Sequence, residues 1–246
     1  MEVLADAAPV GRSVVVRIGP LSLANPVMPA SGCFGPELGQ VTALDRLGAF
    51  VTKTVFSRAR SGNPAHRLTE SSDGMLNAVG IPSPGKAGFV HHLLPGYLAP
   101  GVPLIVSIGG LAPDEYWTVT EQLDDVPYAA LEVNVSCPNL ECGGLELGTD
   151  PHQVETVISG VVERTRRPVI AKLTPHVTRI DDIARAAETG GAVALATARD
   201  ALEFLVAGAT AVQDVIGTLD VPSHTSQDAR RSRAPGGGTV QRQRAG

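Results

Sequence analysis

The amino-acid sequence predicts an α/β fold built from consecutive parallel βα units, and three of its features lead there. Short runs at residues 49–55, 103–107, 129–135 and 168–173 are dominated by Val, Ile, Leu and Ala, the pattern of strands buried on both faces. Helix-like segments at 113–123, 151–166 and 179–189 alternate with them at the spacing of βα units. The polar residues able to do chemistry gather at the C-terminal ends of the runs, where barrels of such units build their sites. At 246 residues the chain has a length compatible with one barrel.

Taken in order, residues 13–28 alternate and turn, and a small hairpin is expected ahead of the barrel proper. VMPASGCFG then runs into a Gly-bounded loop as the first strand, with Ser31 at its end. Residues 44–47 read as a short helix, and 49–55 as the second strand, ending at Lys53. From 58 to 84 the chain is polar and glycine-rich; a loop of that length in a compact domain is more often functional than idle. The third strand, 103–107, opens on Gly109 and Gly110, and the helix at 113–123 begins with Pro113 and carries acidic residues in its first turn. The fourth strand, 129–135, cannot continue through Pro138, and Gly143, Gly144 and Gly148 make a loop that can approach a ligand closely. Asp150 and Pro151 cap the next helix, 168–173 is the fifth strand, and 179–189 the fifth helix.

Asn134, Ser136, Cys137 and Asn139 cluster where the fourth strand ends. Their amides and hydroxyl suit a flat polar ligand, and the thiol can move a proton. A single Cys is more often a small buried hydrophobe, but two Asn and a Ser at a buried strand end need a ligand or backbone to satisfy them. Only three basic residues are lysines, and Lys53 and Lys172 sit at the ends of apolar runs, where an ammonium suits an anionic or electron-rich ligand. Cys142, beside two glycines, reads as a packing residue, and His91, His92 and His152, on helices or their edges, as solvated.

Composition narrows the class. With 43% hydrophobic and 18% charged residues the chain is globular. It has no run of about 18 apolar residues, so no membrane span is expected, and no basic-then-apolar leader opens it. Cys33, Cys137 and Cys142 form no metal-type pair, which points to no metal site and to a reducing cytoplasm. Residues 1–213 carry 15 basic and 22 acidic side chains, a mildly acidic body that gives no electrostatic reason to bind nucleic acid.

NVSCPN at 134–139, followed by GG and GTDP, resembles the active-site loop of the class 1 dihydroorotate dehydrogenases, flavin enzymes on a (β/α)8 TIM barrel. GNPxxR and GMLNAVG resemble that family's substrate-covering segment, and AKLTP its flavin-contacting lysine. The resemblance implies oxidation of dihydroorotate to orotate in pyrimidine biosynthesis, with FMN as hydride acceptor. It makes Cys137 the catalytic base and puts Lys53, Asn77, Gly80, Ile81, Asn134 and Asn139 around the substrate. Ser31, Lys53, Asn134 and Lys172 would touch the flavin, while His176 stands where the family commonly has Asn. It further implies association as dimers or larger, and a choice of acceptor between fumarate and NAD through an iron–sulfur flavoprotein partner. Pyrimidine-base reductases share a similar Cys loop, but they carry cysteine-rich iron–sulfur domains.

The resemblance breaks after Gly191. RDALEFLVAGATAVQ resembles the family's last helix–strand segment, so about two βα units of roughly 30 residues each are skipped, as by an internal deletion. Residues 192–196 offer one short substitute strand, and regular barrel closure is not expected. Gly217 and Thr218, the counterpart of a phosphate-binding pair, lie three residues late, behind Asp214, Val215 and Ile216; an aspartate there would repel a phosphate. The expected organisation is a single, incomplete flavin-binding barrel domain over 1–213 and a low-complexity, disordered tail over 214–246 with five Arg and no apolar periodicity. The alternative outcome is a catalytically dead remnant unable to hold FMN.

Overall fold

A computed structural model describes residues 15–71, 74–136, 147–174, 177–197 and 212–214. The expected hairpin forms from β1 (Val16–Ile18) and β2 (Leu21–Leu23), antiparallel about a turn in which Gly19 has φ +54°. A Cβ on Gly19 would lie 3.0 Å from Val193 Cβ, so the turn sits against the start of a late strand. Next come β3 (Val27–Pro29) and β4 (Phe50–Val51), shorter than the sequence pattern. The 58–84 stretch, read from sequence as loop, contains a second hairpin, β5 (Leu68–Ser71) with β6 (Gly74–Asn77).

A helical stretch follows, as expected around His91 and His92: α1 (Gly85–Gly88), a π turn (Phe89–Leu93) and α2 (Leu94–Leu98). From there the alternation is regular: β7 (Leu104–Ile108), α3 (Pro113–Gln122), β8 (Ala130–Asn134), α4 (Pro151–Val162), β9 (Val169–Leu173), α5 (Ile180–Thr189) and β10 (Ala194–Thr197). Asp150 caps α4 as expected, its carboxylate accepting from the His152 N–H at 2.9 Å ahead of Pro151.

The parallel strands form one five-stranded sheet in the order β10-β9-β8-β7-β4, and β3 pairs in parallel with a last short strand, β11 (Val212–Asp214). β3 flanks β4, where the Gly48 N–H donates to the Val27 carbonyl at 2.8 Å, and β11 lies beside β10. The architecture is thus a parallel sheet with helices, and its described strands do not make one continuous hydrogen-bonded ring. The tail expected over 214–246 lies outside the described residues except for Asp214. Among the described residues no helix is long and apolar enough to cross a membrane.

The period of two along each strand sorts side chains into two cores. Val106, Leu131, Val133, Ala171 and Leu173 face the helices and pack on Tyr116, Val119, Val157, Ile158 and Ile183. The opposite face begins apolar, with Met28, Ala49, Val51, Ile105, Ala130 and Ile170, and the hairpin residues Ile18 and Leu23 pack over it. Two residues further along each strand that same face turns polar: Ser107, Glu132 then Asn134, and Lys172, all buried. The hairpin covers one end of the inner face, and the chemistry collects at the other.

Candidate functional site

The site is built from strand ends. Lys172, only 7% exposed, follows Ile170 on the inner face of β9, and its Nζ donates to Ser31 Oγ at 2.8 Å across 141 residues of sequence. Asn134 stands in register with Lys172 on the adjacent strand. The Ser31 loop turns through Gly32 at φ +84°, and a Cβ there would lie 3.8 Å from Lys53 Cγ, so the stem of Lys53 runs alongside this loop. Two lysine side chains thus flank the Ser31–Gly32 segment, Lys172 buried and Lys53 exposed. The Lys53 N–H donates to Tyr97 OH at 3.4 Å. Burial pushes the Tyr97 hydroxyl pKa up, the Lys53 N–H opposes, and the charge of Glu37 adds to the rise.

Asn134 is held through three groups. Its carbonyl accepts from Tyr116 OH at 3.0 Å. Its Oδ1 accepts from the Ser136 N–H at 3.2 Å and from Ser136 Oγ at 2.7 Å. Its Nδ2 donates to Thr54 Oγ1 at 2.9 Å, and Thr54 Oγ1 lies 3.1 Å from Ser107 Oγ. Gly148 packs directly on the Val135 carbonyl and near Thr174, at the same strand end.

The 58–84 arm carries the other expected substrate residues. Ser83 fastens its root: Arg60 and Ser83 exchange backbone hydrogen bonds at 2.8 and 2.9 Å, and Ser83 Oγ accepts from the Phe56 and Gly85 N–H groups, both at 3.3 Å. Arg60 lies 4.6 Å above the Phe56 ring and donates to the Gly80 carbonyl at 3.2 Å. Gly80 (φ +72°) is buried, Ile81 takes the left-handed region at φ +42°, and Asn77 is exposed at the end of β6.

Ser31, Lys53, Asn134 and Lys172 are therefore brought to one mouth, whereas Asn77, Gly80 and Ile81 stand on an arm tied to Phe56 and Arg60. Cys137 and Asn139 lie outside the described residues, as do Cys142 and His176. His91, His92 and His152 are exposed, as read from sequence. Among the described residues no group of His, Cys, Asp or Glu is arranged to hold a metal ion. Sequence reading missed Glu132, wholly buried two residues before Asn134 on the same face, although a charge inside LEVNV was a visible signal. It also missed Thr54, Ser107 and Tyr116, whose roles depend on contacts distant in sequence.

The model of the family described as dihydroorotate dehydrogenase matches residues 13–197. The chain is 49% identical over 183 residues to the dihydroorotate dehydrogenase B (NAD(+)) catalytic subunit of Desulforudis audaxviator, 73% of this chain and 60% of that protein. It is 44% identical over 183 residues to the protein of the same name from Trichlorobacter lovleyi, and 42% over 186 residues to that of Alkaliphilus oremlandii. The matched region spans about 60% of the length of these relatives.

Proposed function

Because this chain belongs to the dihydroorotate dehydrogenase family, we propose that its mouth binds dihydroorotate and FMN and oxidises the substrate to orotate, in pyrimidine biosynthesis. The observation that carries the reading is the Lys172–Ser31 hydrogen bond, which joins two residues expected to touch flavin across 141 residues of sequence. The donor set fits the ring system: a buried ammonium, a hydroxyl and a glycine turn offer hydrogen bonds and close approach to an electron-rich, flat edge. FMN, when bound, supplies the hydride acceptor.

The chain's own residues do the rest. Lys53, Asn77, Asn134 and Asn139 bind and orient the substrate, with Gly80 and Ile81 covering it. Cys137 Sγ takes the proton from carbon 5 as hydride leaves carbon 6. An ordinary thiol, with a pKa of about 8.5, is mostly protonated at neutral pH, so turnover should rise with pH. The relatives are named as NAD(+)-type catalytic subunits, which favours NAD reached through an iron–sulfur flavoprotein partner as the electron acceptor, and self-association as in the family.

The fold behind this reading is a shortened (β/α)8 barrel in the cytoplasm, with residues 1–213 as its single domain and 214–246 as a disordered tail. A second reading, a remnant that no longer holds FMN, is favoured by the family match ending at residue 197. The visible spectrum of the purified chain separates them. Near-stoichiometric absorbance at about 450 nm supports the enzyme, and a colourless protein that takes up no added FMN sinks it. In a flavin-loaded chain, Cys137→Ala should abolish turnover and keep the flavin; undiminished turnover would remove Cys137 from its role.

A further inference from the structure

We infer that Thr54 and Ser107 are positioning residues: their hydroxyl pair fixes the amide of Asn134 so that its oxygen caps the turn at Ser136 and at most one of its N–H bonds remains for a ligand. A backbone N–H can only donate, so the Asn134 atom 3.2 Å from the Ser136 N–H is the oxygen, which also receives Ser136 Oγ at 2.7 Å. The nitrogen is thereby turned to Thr54 Oγ1, 2.9 Å away, and Thr54 must accept. Ser107 Oγ, 3.1 Å from Thr54 Oγ1, completes the pair.

The supports beneath are rigid. Thr54, Ser107 and Asn134 are all buried, and the Ser107 N–H donates to Thr52 Oγ1 at 3.1 Å, locking β7 to the end of β4. Tyr116 OH holds the Asn134 carbonyl from the helix side. Asn134 therefore cannot rotate to offer its oxygen outward without leaving the half-buried Ser136 N–H without this acceptor. The consequence is a selection rule: this position presents a donor, and it suits a ligand carbonyl or carboxylate oxygen rather than a ligand N–H. A second consequence is that the turn at Ser136 is set by hydroxyls 53 and 80 residues apart in sequence from their partners.

The selection rule rests on the dehydrogenase reading, but the orientation does not, and the test keeps them apart. The full chain is treated with iodoacetamide across a pH series, and alkylation of Cys137 and Cys33 is followed separately by peptide mass spectrometry. Thr54→Val, near-isosteric but unable to accept, should raise the Cys137 rate about five-fold, the scale of one lost hydrogen bond, and leave Cys33 within two-fold. Thr54→Ser should restore the original rate, and Ser107→Ala should follow Thr54→Val more weakly. In an Asn134→Asp background, which lacks the donated N–H, Thr54→Val should change nothing further. An unchanged Cys137 rate, equal changes at Cys33, no rescue by Thr54→Ser or additive effects in that background would each overturn the inference. Protection of Cys137 by orotate in the unmodified chain tests the dehydrogenase reading separately. Its absence beside an intact Thr54 effect removes the substrate and leaves the orientation standing.

Discussion

The two edge strands of the five-stranded sheet are finished differently. At one edge, β4 is sealed: Phe50 is 0% exposed, its ring meets Tyr97 edge-on with centroids 4.9 Å apart, and Phe89 backs Tyr97 at 6.2 Å. β3 then flanks β4 through the Gly48–Val27 hydrogen bond. At the other edge, Val193 and Leu195 of the β10 region are 43% and 44% exposed, although Ala194 between them packs on the inner core. Both strands are apolar, so apolar character alone does not decide burial. Among the described residues, Tyr97 and Phe89 cover β4, whereas α5 packs on β9 and β10 without covering Val193 and Leu195. The sealed edge lies inside the family match, and the open edge is where the match ends, at residue 197.

The largest expected effect tests that contrast directly. Phe50→Ala should cost about 3–5 kcal/mol, because it opens a cavity in a sealed edge, whereas Leu195→Ala should cost less than about 1 kcal/mol. Urea unfolding followed by the fluorescence of Trp117, the chain's single tryptophan, measures both. Equal losses would mean that β10 is covered as fully as β4 and that the contrast is false.

Between the edges, α3 and α4 are interlocked, and a smaller loss is expected there. Gly160 packs directly on the Trp117 indole, and Arg164 lies 4.9 Å over the same ring while donating to the Gly160 carbonyl at 2.8 Å. Gly160→Ala adds a methyl group where the indole already sits, and overpacking should cost about 1–3 kcal/mol despite the better helix propensity of Ala. A rise in stability with an unshifted Trp117 emission maximum would show that the helices can separate freely, as an open edge would allow.

How much was readable in advance follows from these contacts. Lys172 and Asn134 were legible because each is a polar side chain at the end of an apolar run. The extent of the helical stretch from residue 85 to 98 was not, because Gly88, Pro95 and Gly96 break its pattern. The π turn at Phe89–Leu93 precedes Pro95, whose missing N–H and ring clash an unbroken α-helix could not absorb. The β5–β6 hairpin was also missed, since Leu68–Ser71 reads as polar loop without alternation. The Thr54–Ser107–Asn134 contacts gave no local signal at all, because strand order, not sequence distance, brings them together.

The smallest effect concerns the sealed edge under alkali. Tyr97 closes that edge and accepts from the Lys53 N–H, and burial chiefly raises its pKa in the folded chain. A phenol whose folded pKa exceeds its unfolded value of about 10 contributes stability in full below that value, where both states hold the proton. As pH climbs from about 10 through the folded pKa, the unfolded chain releases its proton first and stability falls. Tyr128, raised by burial as well, falls in the same window, so each needs its own variant. Tyr97→Phe should flatten part of the alkaline decline in the urea midpoint, and Tyr128→Phe another part. If Tyr97→Phe leaves the decline unaltered, the hydroxyl is already hydrated, and water reaches the β4 edge as readily as it reaches Leu195.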